Sequence, residues 1–122
     1  MSDTLYDRLG GYDAIAAVAE NIFKRVRVDA QIGRFWANRG EDGIQREKQL
    51  LIDYLSHNAG GPVYYTGRDM KLAHAGMSVD QADWDALMGH IRGALGDFDV
   101  PEAEIEQVMS FVESSHDDVV EV

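Results

Sequence analysis

The sequence predicts an all-helical single domain, and three observations support this class. Apolar residues recur at spacings of three and four along several segments, as they do in amphipathic helices. No segment alternates apolar and polar residues over the length of a useful strand. Glycine and proline stand between the periodic segments, where they end helices. A chain of 122 residues can bury one core, so we expect a single domain over residues 1–122.

The first two helices are predicted near the start of the chain. Thr4 suits the N-cap of a short helix, Asp7 favours its positive end, and Gly10-Gly11 ends it. A longer helix of about four turns follows and has one apolar face. That face comprises Ile15, Val18, Ala19, Ile22, Phe23 and Val26.

A brief helical turn, a polar loop and a third long helix are predicted next. Residues 29–36 form the turn, and residues 38–43 form the loop. The long helix covers residues 44–58, and the Gly-Gly-Pro sequence at 60–62 ends it, because glycine accepts positive φ and proline cannot continue a helix.

The second half of the chain predicts three more helices. A short one, residues 69–75, carries His74. Ser78 and Gln81 form a capping box for a helix that ends at Gly96. The final helix starts near Pro101, and we expect the last few residues to fray.

Composition excludes several classes of protein. The chain has no cysteine, which excludes disulfides and thiolate chemistry. The net charge of −11 opposes binding to nucleic acid or to anionic membranes. No apolar run of about 20 residues and no signal-peptide pattern is present. We therefore expect a soluble, cytoplasmic monomer.

One histidine, His74, stands among apolar neighbours between two glycine-rich points. It has no second histidine, cysteine or carboxylate at ligand spacing, so it cannot build a zinc site, which needs three or four protein ligands. A single imidazole can serve as the axial ligand of a haem. The alternative is a partly buried histidine bonded to a backbone carbonyl.

Short motifs spread along the chain resemble those of one known family. In chain order they are LYDRLGG (5–11), Phe35-Trp36, Lys48-Gln49, GGP (60–62), YTG (65–67) and MKLAH (70–74). In this order they resemble the group I truncated haemoglobins over almost the full length. The resemblance implies a two-over-two helical sandwich that holds haem b, with His74 as the proximal iron ligand.

The resemblance also assigns the walls of the haem pocket. The residues expected to contact haem, besides His74, are Phe23, Phe35, Trp36, Lys48, Gln49, Leu51, Tyr54, Arg68, Lys71, Met77, Val79 and Trp84. The two propionates of haem need cations in an acidic protein, and the candidates are Arg46, Lys48, Arg68 and Lys71. Ordinary solvated charges are the alternative for each of them.

The distal side departs from the family pattern. Relatives place a tyrosine where this chain has Phe23, and a phenyl ring offers no donor to an oxygen ligand. Oxygen should therefore leave faster than from relatives with that tyrosine.

The register of the distal helix stays open at this point. Anchoring it on Lys48-Gln49 directs Gln45, Lys48 and Gln49 toward the iron, whereas counting back from Gly60-Gly61 directs Glu47, Leu50 and Leu51 there. The apolar stripe of the helix favours the second register. Lys48 then reaches the pocket edge, where it pairs with a propionate, ligates iron or points into water.

Three functions remain open. The first is a haem protein for binding or transport of O2 or another diatomic gas. The second is a haem enzyme that oxidises nitric oxide or turns over peroxide with electrons from a reductase partner. The third is a haem-free helical interaction module.

Overall fold

All regular elements are helical within residues 4–37, 40–62, 74 and 76–121, the part of the chain that the computed structural model describes. In chain order they are α1 (Leu5–Leu9), α2 (Gly11–Arg27), a 3-10 segment (Gly33–Trp36), α3 (Glu41–Asn58), α4 (Gln81–Asp97), α5 (Glu102–Glu113) and α6 (His116–Val119). The predicted all-helical class is confirmed. The short helix predicted for residues 69–75 lies outside the described residues, except for His74, which is helical.

The start of the chain folds as its sequence predicts. The Thr4 hydroxyl accepts a hydrogen bond from the Asp7 N–H at 3.1 Å, and the Asp7 carboxylate accepts one from the Thr4 N–H. Gly10 ends α1 with φ 106°, a left-handed conformation that glycine adopts without steric cost. The Tyr6 N–H donates to the carbonyl of Ala59 at 2.8 Å, which ties α1 to the end of α3.

Helix α2 lies at the centre of the packing. All six residues of its predicted apolar face are buried. It packs against both α3 and α4, and α4 packs in turn against α5, so that two helix pairs enclose the core. None of the helices in the described ranges is long and apolar enough to cross a membrane.

Helix α3 starts three residues earlier than the predicted residue 44. Gly40 provides an extended N-cap with φ −72° and ψ 163°, and Glu41 and Asp42 occupy the first turn. Acidic side chains in a first turn interact favourably with the positive end of the helix. The polar residues that suggested a loop therefore extend the helix.

The capping box of α4 is also displaced from its predicted position. Asp80, and not Ser78, is the N-cap: its carboxylate accepts from the Asp83 N–H at 2.8 Å, and the Asp83 carboxylate accepts from the Asp80 N–H at 3.1 Å. Ser78 instead has φ 56°. The Ser78–Gln81 prediction was wrong because an aspartate pair at the same spacing satisfies the first-turn amides.

A short helix near the C-terminus, not predicted from the sequence, is folded onto the core. Helix α6 buries Val119, and the Glu121 N–H donates to the Val79 carbonyl at 2.8 Å. A four-residue helix has no periodicity to detect in the sequence, and its stability comes from these tertiary contacts.

Candidate ligand-binding cavity

A cavity of about 280 Å³ lies among α2, α3, α4 and α6. Its walls are mainly aliphatic and aromatic. Nine of the predicted contact residues line it: Phe23, Phe35, Trp36, Leu51, Tyr54, His74, Met77, Val79 and Trp84. The fold thus brings together side chains from positions 23 to 84 around one space.

Of the predicted contact residues that the structure describes, Lys48 and Gln49 do not line the cavity. Lys48 lies on α3 and forms an ion pair with Glu20 of α2. The amide of Gln49 donates to the Tyr12 hydroxyl at 2.7 Å and to the Asp53 carboxylate at 3.0 Å. Arg68 and Lys71 lie outside the described residues.

The register of α3 explains why Lys48 and Gln49 lie elsewhere. Glu47, Leu50 and Leu51 line the cavity, as in the register counted back from the glycine pair. Successive side chains rotate by about 100° around a helix, so the residue after Glu47 points toward a different neighbour. The anion beside Lys48 is the Glu20 carboxylate. It compensates the positive charge of a lysine that lies next to an apolar stripe.

Aromatic rings form one wall of the cavity. The Trp36 indole packs edge to face with Phe23, at 6.0 Å between ring centroids, and with Phe35, at 6.2 Å. The Trp36 Nε1–H donates to the Glu47 carboxylate at 2.9 Å. This bond connects the 3-10 segment to α3 and places a carboxylate at a mainly apolar surface.

A second carboxylate, that of Asp83, lines the cavity from α4. Its side chain is 1% exposed and accepts two hydrogen bonds from the Arg34 guanidinium, at 2.9 and 2.8 Å, and one from the Gln31 amide at 2.7 Å. The Arg34 guanidinium holds the pKa of Asp83 far below its usual range, against the opposing effect of burial. Arg34 also lies over the Phe35 ring, 4.3 Å from its centroid.

Sequence reasoning missed the Asp83 cluster. An aspartate at a helix start, three residues after another, was a visible signal for a cap. Its partners lie 49 and 52 residues away in the chain, so no local pattern pointed to the ion pair.

Tyrosine and histidine side chains complete the surroundings of the cavity. Burial raises the pKa of Tyr54, and a hydrogen bond with Ser115 partly offsets this effect. The ring of His116 packs edge to face on Trp84 at 5.1 Å. The His116 Nε2 lies 2.7 Å from the side-chain amide oxygen of Gln81, Oε1.

His74 lines the cavity and is half-buried. Its carbonyl accepts a hydrogen bond from the Met77 N–H at 3.2 Å. Within the described ranges, no three histidine, cysteine or acidic side chains are grouped so as to hold a metal ion. This part of the chain therefore offers one imidazole in a mainly apolar cavity.

Comparisons with known proteins give consistent matches over most of the chain. A family model described as bacterial-like globin matches residues 4–121. A group 1 truncated haemoglobin from Nostoc sp. is 34% identical over 92 residues, which cover 75% of this chain and 75% of the relative. Another, from Mycolicibacterium paratuberculosis, is 29% identical over 109 residues, or 89% of this chain and 78% of the relative.

Two solved structures share the fold. The truncated haemoglobin of Tetrahymena pyriformis in its Fe(III) form matches with a TM-score of 0.90 and 27% identity, covering 98% of this chain and 100% of that chain. The 2/2 haemoglobin of Synechococcus sp. with covalently attached haem matches with a TM-score of 0.87 and 26% identity, covering 97% of this chain and 98% of that chain.

Proposed function

Since this chain belongs to the bacterial-like globin family, we propose that it is a haem protein that binds O2 or another diatomic gas at an iron held by His74. The resemblance to group I truncated haemoglobins is confirmed by the relatives. The predicted two-over-two helical sandwich is confirmed by the match to the Synechococcus 2/2 haemoglobin.

The residues that line the cavity fit haem b. A single imidazole suits the axial position of haem iron, and a flat porphyrin needs aliphatic and aromatic walls. A zinc site would require a cluster of ligands, which the described residues do not contain. The observation that carries the proposal is the His74 imidazole in this mainly apolar cavity.

When bound, haem supplies the iron at which a diatomic gas is held, and the chain supplies its surroundings. His74 would hold the haem iron through an imidazole nitrogen. The rings of Phe23 and Trp36 exclude water from one side, and Phe23 has no donor for a gas ligand. This absence supports the expectation that oxygen leaves faster than from relatives with a tyrosine there.

The propionates need cationic partners, and Arg68 and Lys71 remain our proposals for that role. They precede His74 by six and three residues in the sequence, and Lys71 lies on the helix predicted for residues 69–75. We do not propose Lys48 as a propionate partner, because it forms an ion pair with Glu20.

Absorbance spectroscopy of the purified protein tests the proposal. We expect a Soret band in the wild type and, in His74→Ala, loss of the wild-type ferrous spectrum or of haem itself. His57→Ala is the matched control, since that exposed histidine lies outside the cavity lining, and its spectrum should match the wild type.

Two results would overturn the proposal in different ways. A wild-type protein that takes up no haem would favour the haem-free interaction module. A His74→Ala protein with an unchanged ferrous spectrum would assign the iron to another ligand.

A further inference from the structure

A carboxylate holds the turn that follows His74. Glu121 Oε2 accepts a hydrogen bond from the Gly76 N–H at 3.1 Å, and its Oε1 accepts one from the Ser78 N–H at 2.7 Å. The Glu121 N–H donates back to the Val79 carbonyl at 2.8 Å. Three hydrogen bonds thus join Glu121 to a stretch that begins two residues after His74.

The turn that Glu121 binds has an unusual backbone. Gly76 has φ 83° and Ser78 has φ 56°, so both lie in the left-handed region. This region is unfavourable for serine, and such conformations persist where neighbouring groups impose them. Amide groups around left-handed residues form a concave site for an anion, and the Glu121 carboxylate occupies it.

The same turn is bonded to the backbone of His74. The Met77 N–H, between the two amides that Glu121 binds, donates to the His74 carbonyl at 3.2 Å. The side chains of Met77, Val79 and Val119 line the cavity that contains the imidazole. A displacement of the turn would therefore move the backbone that carries His74.

The electrostatics agree with this geometry. The backbone N–H groups of Gly76 and Ser78 hold the pKa of Glu121 below its usual range. Glu121 is exposed to solvent, so its effect depends on geometry more than on burial.

We propose that Glu121 is a positioning residue for His74: its carboxylate fixes the left-handed turn at 76–78 and thereby the orientation of the imidazole toward haem iron. This proposal rests on the proposed function, because it concerns the same ligand. It predicts that haem affinity and the iron–imidazole bond both depend on a side chain that lies outside the cavity lining.

The test compares Glu121→Ala, Glu121→Gln and a control, Glu113→Gln, in the haem-loaded protein. Glu113 is an exposed acid at the end of α5, so its variant removes the same charge elsewhere. In Glu121→Ala we expect the iron–imidazole stretching band of the ferrous protein to shift in resonance Raman spectra. We also expect haem transfer to apomyoglobin to be about fivefold faster. Glu121→Gln keeps one carbonyl oxygen, so its values should be intermediate.

A second variant separates positioning from general stability. Ser78→Gly removes the strain of the left-handed serine, so the effect of Glu121→Ala should be smaller in that background. A Glu121→Ala protein with the band position and haem transfer rate of Glu113→Gln would overturn the inference. So would a lower melting temperature with an unchanged band, since that indicates a merely structural role. Absence of a Soret band in the wild type would instead reject the proposed function and, with it, this inference.

Discussion

Two carboxylates line the cavity from different helices, Glu47 on α3 and Asp83 on α4, and they are held differently. The Asp83 side chain is almost fully buried and accepts from the cationic Arg34 and from Gln31. Glu47 is half-buried and accepts from the neutral indole of Trp36. Arg34 and Trp36 both belong to the 3-10 segment. Carboxylates from two different helices therefore bind this short segment.

This difference indicates which of the two acids contributes more to the stability of the fold. A buried carboxylate is retained as an ion only where charged and polar donors replace its water. Asp83 meets that condition, and its carboxylate is also part of the α4 capping box. We therefore expect the loss of Asp83 to destabilise the protein more than the loss of Glu47.

The largest expected effect is that of Asp83→Ala, at about 2–3 kcal/mol of unfolding free energy. The substitution removes the acceptor for Gln31 and Arg34 and breaks the capping box. Urea unfolding followed by circular dichroism measures it. Asp85→Ala, an exposed acid on the same helix, is the control and should stay within about 0.5 kcal/mol of the wild type. Equal effects of the two substitutions would remove the distinction between buried and exposed acids.

The contribution of Asp83 should also depend on pH. Its pKa is lowered in the folded state, chiefly by Arg34, relative to about 3.9 for an unfolded aspartate. Its stabilisation is therefore complete above the unfolded pKa and is lost as pH falls toward the folded pKa. The unfolding free energies of wild type and Asp83→Asn should differ by a constant amount between neutral pH and about pH 5, and converge in more acidic solution. A difference that grows on acidification would contradict this account.

A smaller effect is expected at Glu47. Glu47→Leu leaves the Trp36 indole N–H without its carboxylate acceptor and should cost about 1 kcal/mol, whereas Glu47→Gln keeps an acceptor oxygen and should cost less. Unfolding in urea and the tryptophan fluorescence maximum report the change. If Glu47→Gln were as damaging as Glu47→Leu, the charge of Glu47 and not its bond to Trp36 would matter.

The smallest effect is expected for Lys48→Ala. The ion pair with Glu20 is solvent-accessible, with side chains 22% and 45% exposed, and such pairs contribute about 0–1 kcal/mol. Because Lys48 does not line the cavity, haem transfer to apomyoglobin should proceed at the wild-type rate. Glu20→Gln is the matched variant, and the Lys48→Ala effect should vanish in its background. Faster haem transfer in Lys48→Ala than in the wild type would indicate that Lys48 does bind a haem propionate.

Local sequence patterns predicted the elements that depend on neighbouring residues. The apolar residues of α2 recur three or four positions apart and the Thr4 cap bonds to Asp7 three positions on, so the local spacing alone predicted both. The resemblance to a family predicted nine of the residues that line the cavity, among them Phe35, Trp36 and His74. A composition without cysteine excluded thiolate sites at once.

Only the tertiary structure decided where the polar side chains lie. Two registers were open for α3, and its packing directs Glu47 into the cavity and Lys48 toward Glu20. The side chains of the Asp83 cluster and the Glu121 carboxylate with its two amide donors join positions at least 43 residues apart. Helix periodicity specifies which residues share a face, but it contains no information about which distant segment meets that face. Which segments meet depends on how all the helices bury their apolar faces together. The pairing of charged side chains therefore follows from the tertiary structure and not from local sequence.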